Sequence, residues 1–235
     1  MVKGLYYAAK SLHEKIRNIQ IVANNLANIN TTGFKREIPF SEYMERANKK
    51  SLMQITDFTE GALIKTDNPF NLAISGKGFF AVQTNRGIEL TKNGKFKINN
   101  DGFLVTEDGN KVLGRNGEIS FLDNLFKKGN QVTISSNVEV KVGKNVVNQL
   151  MIVKPDDQSN LIRTEGQKYY SLDEVYNPAN EKDFKVMQGY LEESNTNPIV
   201  EMQAMIQLEK DFEASQKMVT SLDNMMSKAK EIGKV

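Results

Sequence analysis

Neither cysteine nor tryptophan occurs in the 235 residues, and histidine occurs once. The missing cysteine excludes disulfides, thiolate nucleophiles and cysteine-ligated zinc. It leaves the compartment open, because an exported protein can do without bridges. The lone His13 has no second histidine with which to form a zinc site, and nothing near it in sequence supports a catalytic triad. It reads as helix surface. Long hydrophobic runs are also missing. No stretch approaches the ~20 apolar residues of a membrane span. Lys10, His13, Glu14, Lys15 and Arg17 interrupt any apolar stretch that could serve as a signal peptide. The expectation is that, if this chain leaves the cytoplasm, it does so by a route other than ordinary signal-peptide secretion. An excess of one charge is missing too: 31 Lys and Arg stand against 29 Asp and Glu, a net +2. Nucleic-acid binding needs a concentrated basic face, whereas here the signs interleave. The runs Lys49-Lys50 and Lys127-Lys128 read as solvated surface.

What is present lies first at the two ends. Leu5, Ala9, Leu12, Ile16, Ile19, Ala23 and Leu26 recur at alternating spacings of four and three. So do Met205, Leu208, Phe212, Ser215, Val219, Leu222, Met226 and Ala229. This is the a/d seam of a coiled coil, apolar at all but one position. A lone helix of about three heptads is marginal in water, so each stripe needs a partner: the other terminus, or the same element in a neighbouring subunit. Two adhesive terminal helices suit a polymerising subunit better than a globular enzyme. Met202, Met205, Met218, Met225 and Met226 give the second stripe a soft face, for a core or for several non-identical neighbours.

The spacing predicts a first helix from about Gly4 to Asn28, ended by the turn formers Asn30-Thr31-Thr32-Gly33. Its Asn24, Asn25 and Asn28 lie off the seam, and two readings stay open: polar contacts repeated between subunits, or C-terminal fraying. Ser41 to Lys50 is weakly helical. From Gly61 onward, Asn93-Gly94, Asp101-Gly102, Asp108-Gly109 and Asn116-Gly117 punctuate short β-prone runs, a hairpin signal. Strands are expected at Phe79–Val82, Lys95–Ile98, Phe103–Thr106, Lys111–Leu113, Val132–Ile134, Val138–Val142, Val146–Val153, Leu161–Thr164 and Lys168–Leu172. Helix returns after Asn197, a good N-cap, with Pro198 at its first position and Glu201 and Glu209 in its early turns. The fold class is therefore mixed and mainly β. A central barrel-like or sandwich-like all-β domain is flanked by N- and C-terminal helices that pair as a coiled coil. The expected division is residues 1–35, helix and following loop; 36–60, connector; 61–188, β domain; 189–235, C-terminal helix.

Candidate chemistry is thin. Ser75-Gly76-Lys77-Gly78 lacks the full phosphate-loop pattern and leads into a strand, so it reads as a tight turn. Asn99-Asn100-Asp101-Gly102 lacks calcium-loop spacing and reads as a hairpin turn. The carboxylate pairs Glu192-Glu193 and Asp156-Asp157 read as solvated surface. No catalytic residue, cofactor or metal is expected.

Several motifs carry a resemblance. Asn25-Leu26-Ala27-Asn28-Ile29-Asn30-Thr31-Thr32-Gly33-Phe34-Lys35-Arg36 resembles the N-terminal signature of the bacterial flagellar rod and hook proteins. Leu72-Ala73-Ile74-Ser75-Gly76-Lys77-Gly78-Phe79-Phe80, Asn93-Gly94-Lys95-Phe96 and Gly102-Phe103-Leu104-Val105-Thr106 resemble the same group. Gly189-Tyr190-Leu191-Glu192-Glu193-Ser194-Asn195 is similar to its C-terminal signature, as are Glu201, Met205-Ile206, Phe212-Glu213, Lys217 and Asp223. The chain departs at Lys92 and Lys210, where the group usually has Arg, at Leu90, which replaces an aromatic, and at Thr196, which replaces Val. Lysine cannot form arginine's planar bidentate contact.

The resemblance implies a non-enzymatic axial subunit of the flagellum. It would be exported by the flagellum's own type III apparatus without a cleaved signal, and would polymerise helically with itself and other rod subunits. Its terminal helices would line the inner layer of a hollow tube that carries torque and passes export substrates. The implied assembly residues are Leu5, Leu12, Ile16, Ile19, Asn24, Asn25, Leu26, Asn28, Gly33 and Phe34 at one end. At the other they are Met205, Leu208, Phe212, Val219, Leu222 and Met226. The short path to Gly61 argues against a hook subunit. Lys111–Ile119 and Val147–Val153 look more like the proximal than the distal branch of the rod. A peptidoglycan-acting β protein would need a carboxylate pair in a cleft. A cytoplasmic chaperone for export substrates would not need the β domain.

Overall fold

The computed structural model describes residues 2–39, 55–121, 131–172, 176–180 and 182–232, without the side chains of residues 2, 3, 5 and 230–232. The expected helix at Ser41 to Lys50 lies outside the described residues. The chain divides into two compact units. One comprises residues 1–29, 37–57 and 196–235, the other residues 30–36 and 58–195.

In the first unit, helix α1 (Val2–Ala27) packs against helix α2 (Pro198–Ile232). They run antiparallel: Lys15 reaches Asp211 and Ser215, and Asn25 reaches Glu201. Asn28 closes the end of α1, its side-chain amide donating to the Asn24 carbonyl at 2.9 Å, which satisfies a terminal acceptor the helix cannot. Asn197 caps α2 as expected: its Oδ1 accepts from the Ile199 amide at 3.0 Å and from Val200 at 3.4 Å. Strand Glu37–Ile38 pairs antiparallel with Ile55–Thr56.

The regular structure of the second unit, among its described residues, is β apart from two short 3₁₀ turns. Its main sheet has nine strands and is antiparallel, running in the order Leu161–Arg163, Lys168–Ser171, Gly87–Thr91, Phe79–Thr84, Lys111–Gly114, Leu104–Thr106 and Phe96–Ile98. Ile152–Val153 adds to Phe79–Thr84, and Gly117–Glu118 to Lys111–Gly114. The two end strands do not pair with each other, so the expectation of a barrel is corrected: the sheet is open. The remaining strands form small neighbours. Val132–Ile134, Glu139–Val142 and Asn145–Gln149 make one sheet, Leu72–Gly76 pairs with Phe184–Gln188, and Leu63–Lys65 pairs with Tyr190–Glu192.

Period-two alternation sends Phe80 and Val82 into the larger core with Phe96, Leu104, Val140 and Ile152. Phe79 and Ala81 enter a second core with Leu90, Leu161 and Tyr169. A strand buried on both faces must be apolar throughout, which is why Phe79-Phe80-Ala81-Val82 shows no polar alternation. The single strand expected over Val146–Val153 is two. Asn145–Gln149 pairs with Glu139–Val142, and Ile152–Val153 crosses to Phe79-Phe80. Asp101-Gly102, Asp108-Gly109 and Asn116-Gly117 do make turns, with φ of +81°, +86° and +91° at the glycines. Asn93-Gly94 does not take the positive-φ conformation. Gly94 is needed for space, since a Cβ there would lie 1.7 Å from the Leu72 carbonyl oxygen.

Candidate assembly interface

On α2 the stripe stands where the spacing puts it. Met205, Leu208, Phe212, Ser215, Val219, Leu222 and Met226 are all half-buried, and Ala229 is exposed. Ser215, the one polar member, has a specific use: its hydroxyl accepts the Lys15 ammonium at 2.6 Å, and Lys15 also bonds the Asp211 carbonyl at 2.9 Å.

On α1 the covered face is rotated from the expected seam. Leu12, Ile19 and Leu26 are half-buried, but Ala9, Ile16 and Ala23 are exposed. The face toward α2 centres on Ser11, Lys15, Asn18, Val22 and Asn25. The stripe drawn through the most apolar positions therefore splits: one half flanks the helix contact and the other faces outward. The side chain of Leu5 lies outside the described residues. Of the amide cluster, Asn24 is exposed and bonds Asn28 at 3.1 Å, whereas Asn25 is fully buried. Its Nδ2 donates to the Glu37 carbonyl at 2.8 Å and to Glu201 Oε2 at 3.2 Å, and its Oδ1 accepts from the Glu37 amide at 2.9 Å. Asn25 thus joins α1, α2 and the short strand, and Glu201 is a buried acceptor rather than only a dipole-complementing surface charge.

An apolar face remains outside the helix pair. Ile199, Met202 and Ile206 are exposed at i, i+3 and i+7 on one flank of the covered stripe, and Met218 and Met225, a heptad apart, are exposed on its other flank; Tyr6, Tyr7 and Ile16 are exposed on α1. Apolar side chains in helical register that stay wet in the single chain mark an interaction surface.

In the second unit, three motifs far apart in sequence meet at one point. Gly33 takes φ +69°, and its amide donates to the Glu192 carbonyl at 2.7 Å. A Cβ at Gly33 would fall 2.5 Å from the Asn93 nitrogen. The Thr32 hydroxyl bonds Asn93 Oδ1 at 3.2 Å, and the Arg36 amide donates to Asn195 Oδ1 at 2.7 Å. At the centre, Lys35 donates to Glu192 Oε1 at 2.5 Å and to the Thr59 carbonyl at 2.6 Å. Glu192 Oε1 also accepts the Gly61 amide at 2.9 Å. Both side chains are out of solvent, at 0% and 1% exposure. Phe34 is buried, with the Arg163 guanidinium 4.5 Å over its ring; Arg163 also bonds the Lys35 carbonyl and the Tyr169 hydroxyl.

Glu192 is accordingly not the solvated half of a surface carboxylate pair; only Glu193 is exposed. Lys92 lies in the same polar core and bonds the Gly76 carbonyl at 3.0 Å. Burial pushes its pKa down to about 8, the Glu192 charge opposing that shift and Lys35 adding to it. His13, Asp156 and Asp157 are exposed. The described residues contain no group of three or more His, Cys, Asp or Glu side chains that could hold a metal ion.

Two terminal helices with an outward apolar face, and signature motifs used as internal fasteners, define a protein built for assembly. The family comparisons agree. Residues 5–35 match the flagella basal body rod protein model, residues 73–148 the flagellar hook protein FlgE/F/G D1 domain, and residues 187–232 the C-terminal model of the flagellar basal body rod FlgEFG proteins. The chain belongs to the flagellar basal-body rod protein family. It is 33% identical to the flagellar basal-body rod protein FlgF of Caulobacter vibrioides over the full length of both chains. It is 27% identical to the FlgF of Mesorhizobium japonicum, covering 91% of this chain and 90% of that one. It is 29% identical to the rod protein FlgG of Buchnera aphidicola subsp. Baizongia pistaciae, covering 97% and 98%. These relatives are structural rod proteins, and the chain is a structural protein rather than an enzyme.

Proposed function

We propose that this chain is a subunit of the proximal rod, polymerising helically with itself and with other rod subunits through its terminal helices. The observation that carries the reading is the exposed apolar register Ile199, Met202 and Ile206 at the start of a helix whose neighbouring stripe is already covered, with Met218 and Met225 exposed on the other flank of that stripe. Contacts of this face with a different face of the next subunit do not close into a ring; they propagate an open helical tube. Such a tube carries motor torque and leaves a lumen for export substrates. In it, α1 and α2 pair as a coiled coil through the Met205, Leu208, Phe212, Val219, Leu222 and Met226 stripe of α2, while the outward Ile16 of α1 meets a neighbouring subunit. Passage to the envelope follows the flagellar type III route.

The test is Ile206→Asp, at a half-exposed position outside the α1–α2 contact. The expected result is unchanged unfolding of the purified chain with loss of incorporation into hook–basal bodies and loss of swimming. Normal motility would remove this face from the assembly. Labelling the protein in purified hook–basal bodies tests the branch: a band between the membrane ring and the thicker distal shaft supports the proximal rod, and label along the distal shaft assigns the distal one.

A further inference from the structure

A second surface feature lies wholly within the β unit. Between the Asn85-Arg86 turn and the Thr164–Gly166 loop there is a polar cleft of about 420 Å³. It is lined in part by Glu89, in strand Gly87–Thr91. Ile88 and Leu90 belong with the second core, so Glu89 projects from the opposite face, across the ladder from Val82 of the larger core. Glu89 is 3% exposed, and its Oε1 has no hydrogen-bond partner among the described residues. The Thr164 hydroxyl, also buried and lining the cleft, is in the same condition. The one lysine of the lining is committed elsewhere: the Lys168 ammonium lies 2.7 Å from Asp108. Arg86 points outward toward Glu165 at 3.9 Å. The lining thus carries three carboxylates against two cations.

A carboxylate removed from water with an oxygen unused is expensive unless a charge or donor meets it. The sign of the lining selects a cation. The mixture of carboxylate, hydroxyl and amide acceptors selects one with several directed donors. A hard divalent ion needs six to eight oxygens, and here an ammonium already sits on the Asp108 carboxylate. A guanidinium offers five donors in a planar fork, enough for Glu89 and Thr164 together, and the cleft has room for a whole side chain. We propose that this cleft receives an arginine side chain presented by a partner polypeptide, with Glu89 as the charge that holds it. The inference is independent of the assembly role of the helices, since the cleft lies entirely in the β unit.

The experiment uses the full chain, isotope-labelled, at low ionic strength, titrated with N-acetyl-arginine amide while backbone amide shifts are followed. The expected result is saturable shifts confined to residues 84–89 and 164–168. The neutral isostere N-acetyl-citrulline amide should bind at least about tenfold more weakly. Glu89→Gln should abolish the difference between the two probes. Because that residue is buried, Asp108→Asn, at a half-exposed side chain, serves as the second variant. It frees the Lys168 ammonium to turn to Glu89 and should weaken arginine binding by at least about fivefold. No saturable shift with the arginine probe, an equal response to citrulline, or unchanged binding in Asp108→Asn would overturn the proposal. So would calcium chloride saturating the same amides where the arginine probe does not.

Discussion

Lys35→Met probes the centre of the signature junction. The lysine and Glu192 are both excluded from solvent and meet at 2.5 Å, so removing the cation strands a carboxylate in the interior. Breaking a buried pair from one side costs about 3–5 kcal/mol. Glu192 keeps its bond from the Gly61 amide and a second cation, Lys92, in the same polar core, so the lower end is expected, ~3 kcal/mol. With a urea slope of ~1.5–2 kcal/mol per molar for a unit of this size, the midpoint falls by ~1.5–2 M. The chain has no tryptophan, so the transition is followed by tyrosine fluorescence and far-ultraviolet circular dichroism. Lys35→Met/Glu192→Leu removes both charges and should recover most of the loss, leaving ~1 kcal/mol for the unsatisfied Gly61 amide. A single-variant shift below ~0.5 M, or a double variant no better than the single, would refute the reasoning.

Lys92 adds a pH signature to the same series. Its pKa is about 8 in the folded chain against 10.5 for an unperturbed lysine. Below pH 8 it is charged in both states, and the folded state bears the cost of burying that charge. Between pH 8 and 10.5 the unfolded chain holds the proton more tightly, so stability rises with pH, by up to ~3 kcal/mol across the window. This gain is read as the difference between the parent and Lys92→Met. In Lys35→Met the repulsion from Lys35 disappears while the attraction of Glu192 remains. The Lys92 pKa then moves back up and the alkaline gain shrinks. In the double variant that attraction is lost as well, burial again dominates, and the gain returns.

Two further expectations concern backbone space. Gly94→Ala places a Cβ 1.7 Å from the Leu72 carbonyl oxygen and should destabilise by more than ~3 kcal/mol. Gly109→Ala, at φ +86° with open space around it, should cost only ~1 kcal/mol; thermal unfolding of the two variants compares clash with conformation. Gly33→Ala combines positive φ with a 2.5 Å approach to Asn93. It should lower the melting temperature and also loosen the backbone bond from residue 33 to the Glu192 carbonyl, visible as faster amide exchange at position 33.

The sequence made the helices legible because their pattern is local. Asn197 and Pro198 fixed the start of α2, and its seven seam positions from Met205 to Met226 are all half-buried, joined in that stretch only by Asp211. Phase failed on α1 because the contact face uses Ser11, Lys15, Asn18 and Asn25, which an apolar pattern cannot register. The strands were legible from their turn glycines, but partners were not: Val146–Val153 reads as one run, and only the two sheets it serves divide it. The junction was hidden for a different reason. Lys35 and Glu192 are 157 residues apart, and each alone looks like a solvated charge. The hint was available in a weak form, since a lysine and a glutamate each sit inside a motif at opposite ends of the chain.

Asn25 raises the question of why polar groups occupy the covered face at all. A leucine there would bury more apolar area, and the soft methionine face of α2 would accept it in more than one register. The asparagine makes three bonds, two to the Glu37 backbone and one to Glu201, and a slip of one helical turn, ~5.4 Å, between the helices would break the bond to Glu201, the one that crosses the pair. A single buried amide setting register at a cost in stability is a known device of helix pairs. Asn25→Leu should lose ~3 kcal/mol at about 1 kcal/mol per bond. Asn25→Leu/Glu201→Leu should recover only about a third of that, since the two bonds to the Glu37 backbone stay lost, and should lose the register. The absence of native cysteine makes the readout clean: spin labels on cysteines introduced at the exposed Arg17 and Lys217 report one distance across the helix pair. The parent should give a single narrow distribution, and the double leucine variant a broad or split one displaced by about a helical turn. An unchanged narrow distribution in that variant would show that apolar packing alone sets the register, and that Asn25 serves only to satisfy the backbone of Glu37.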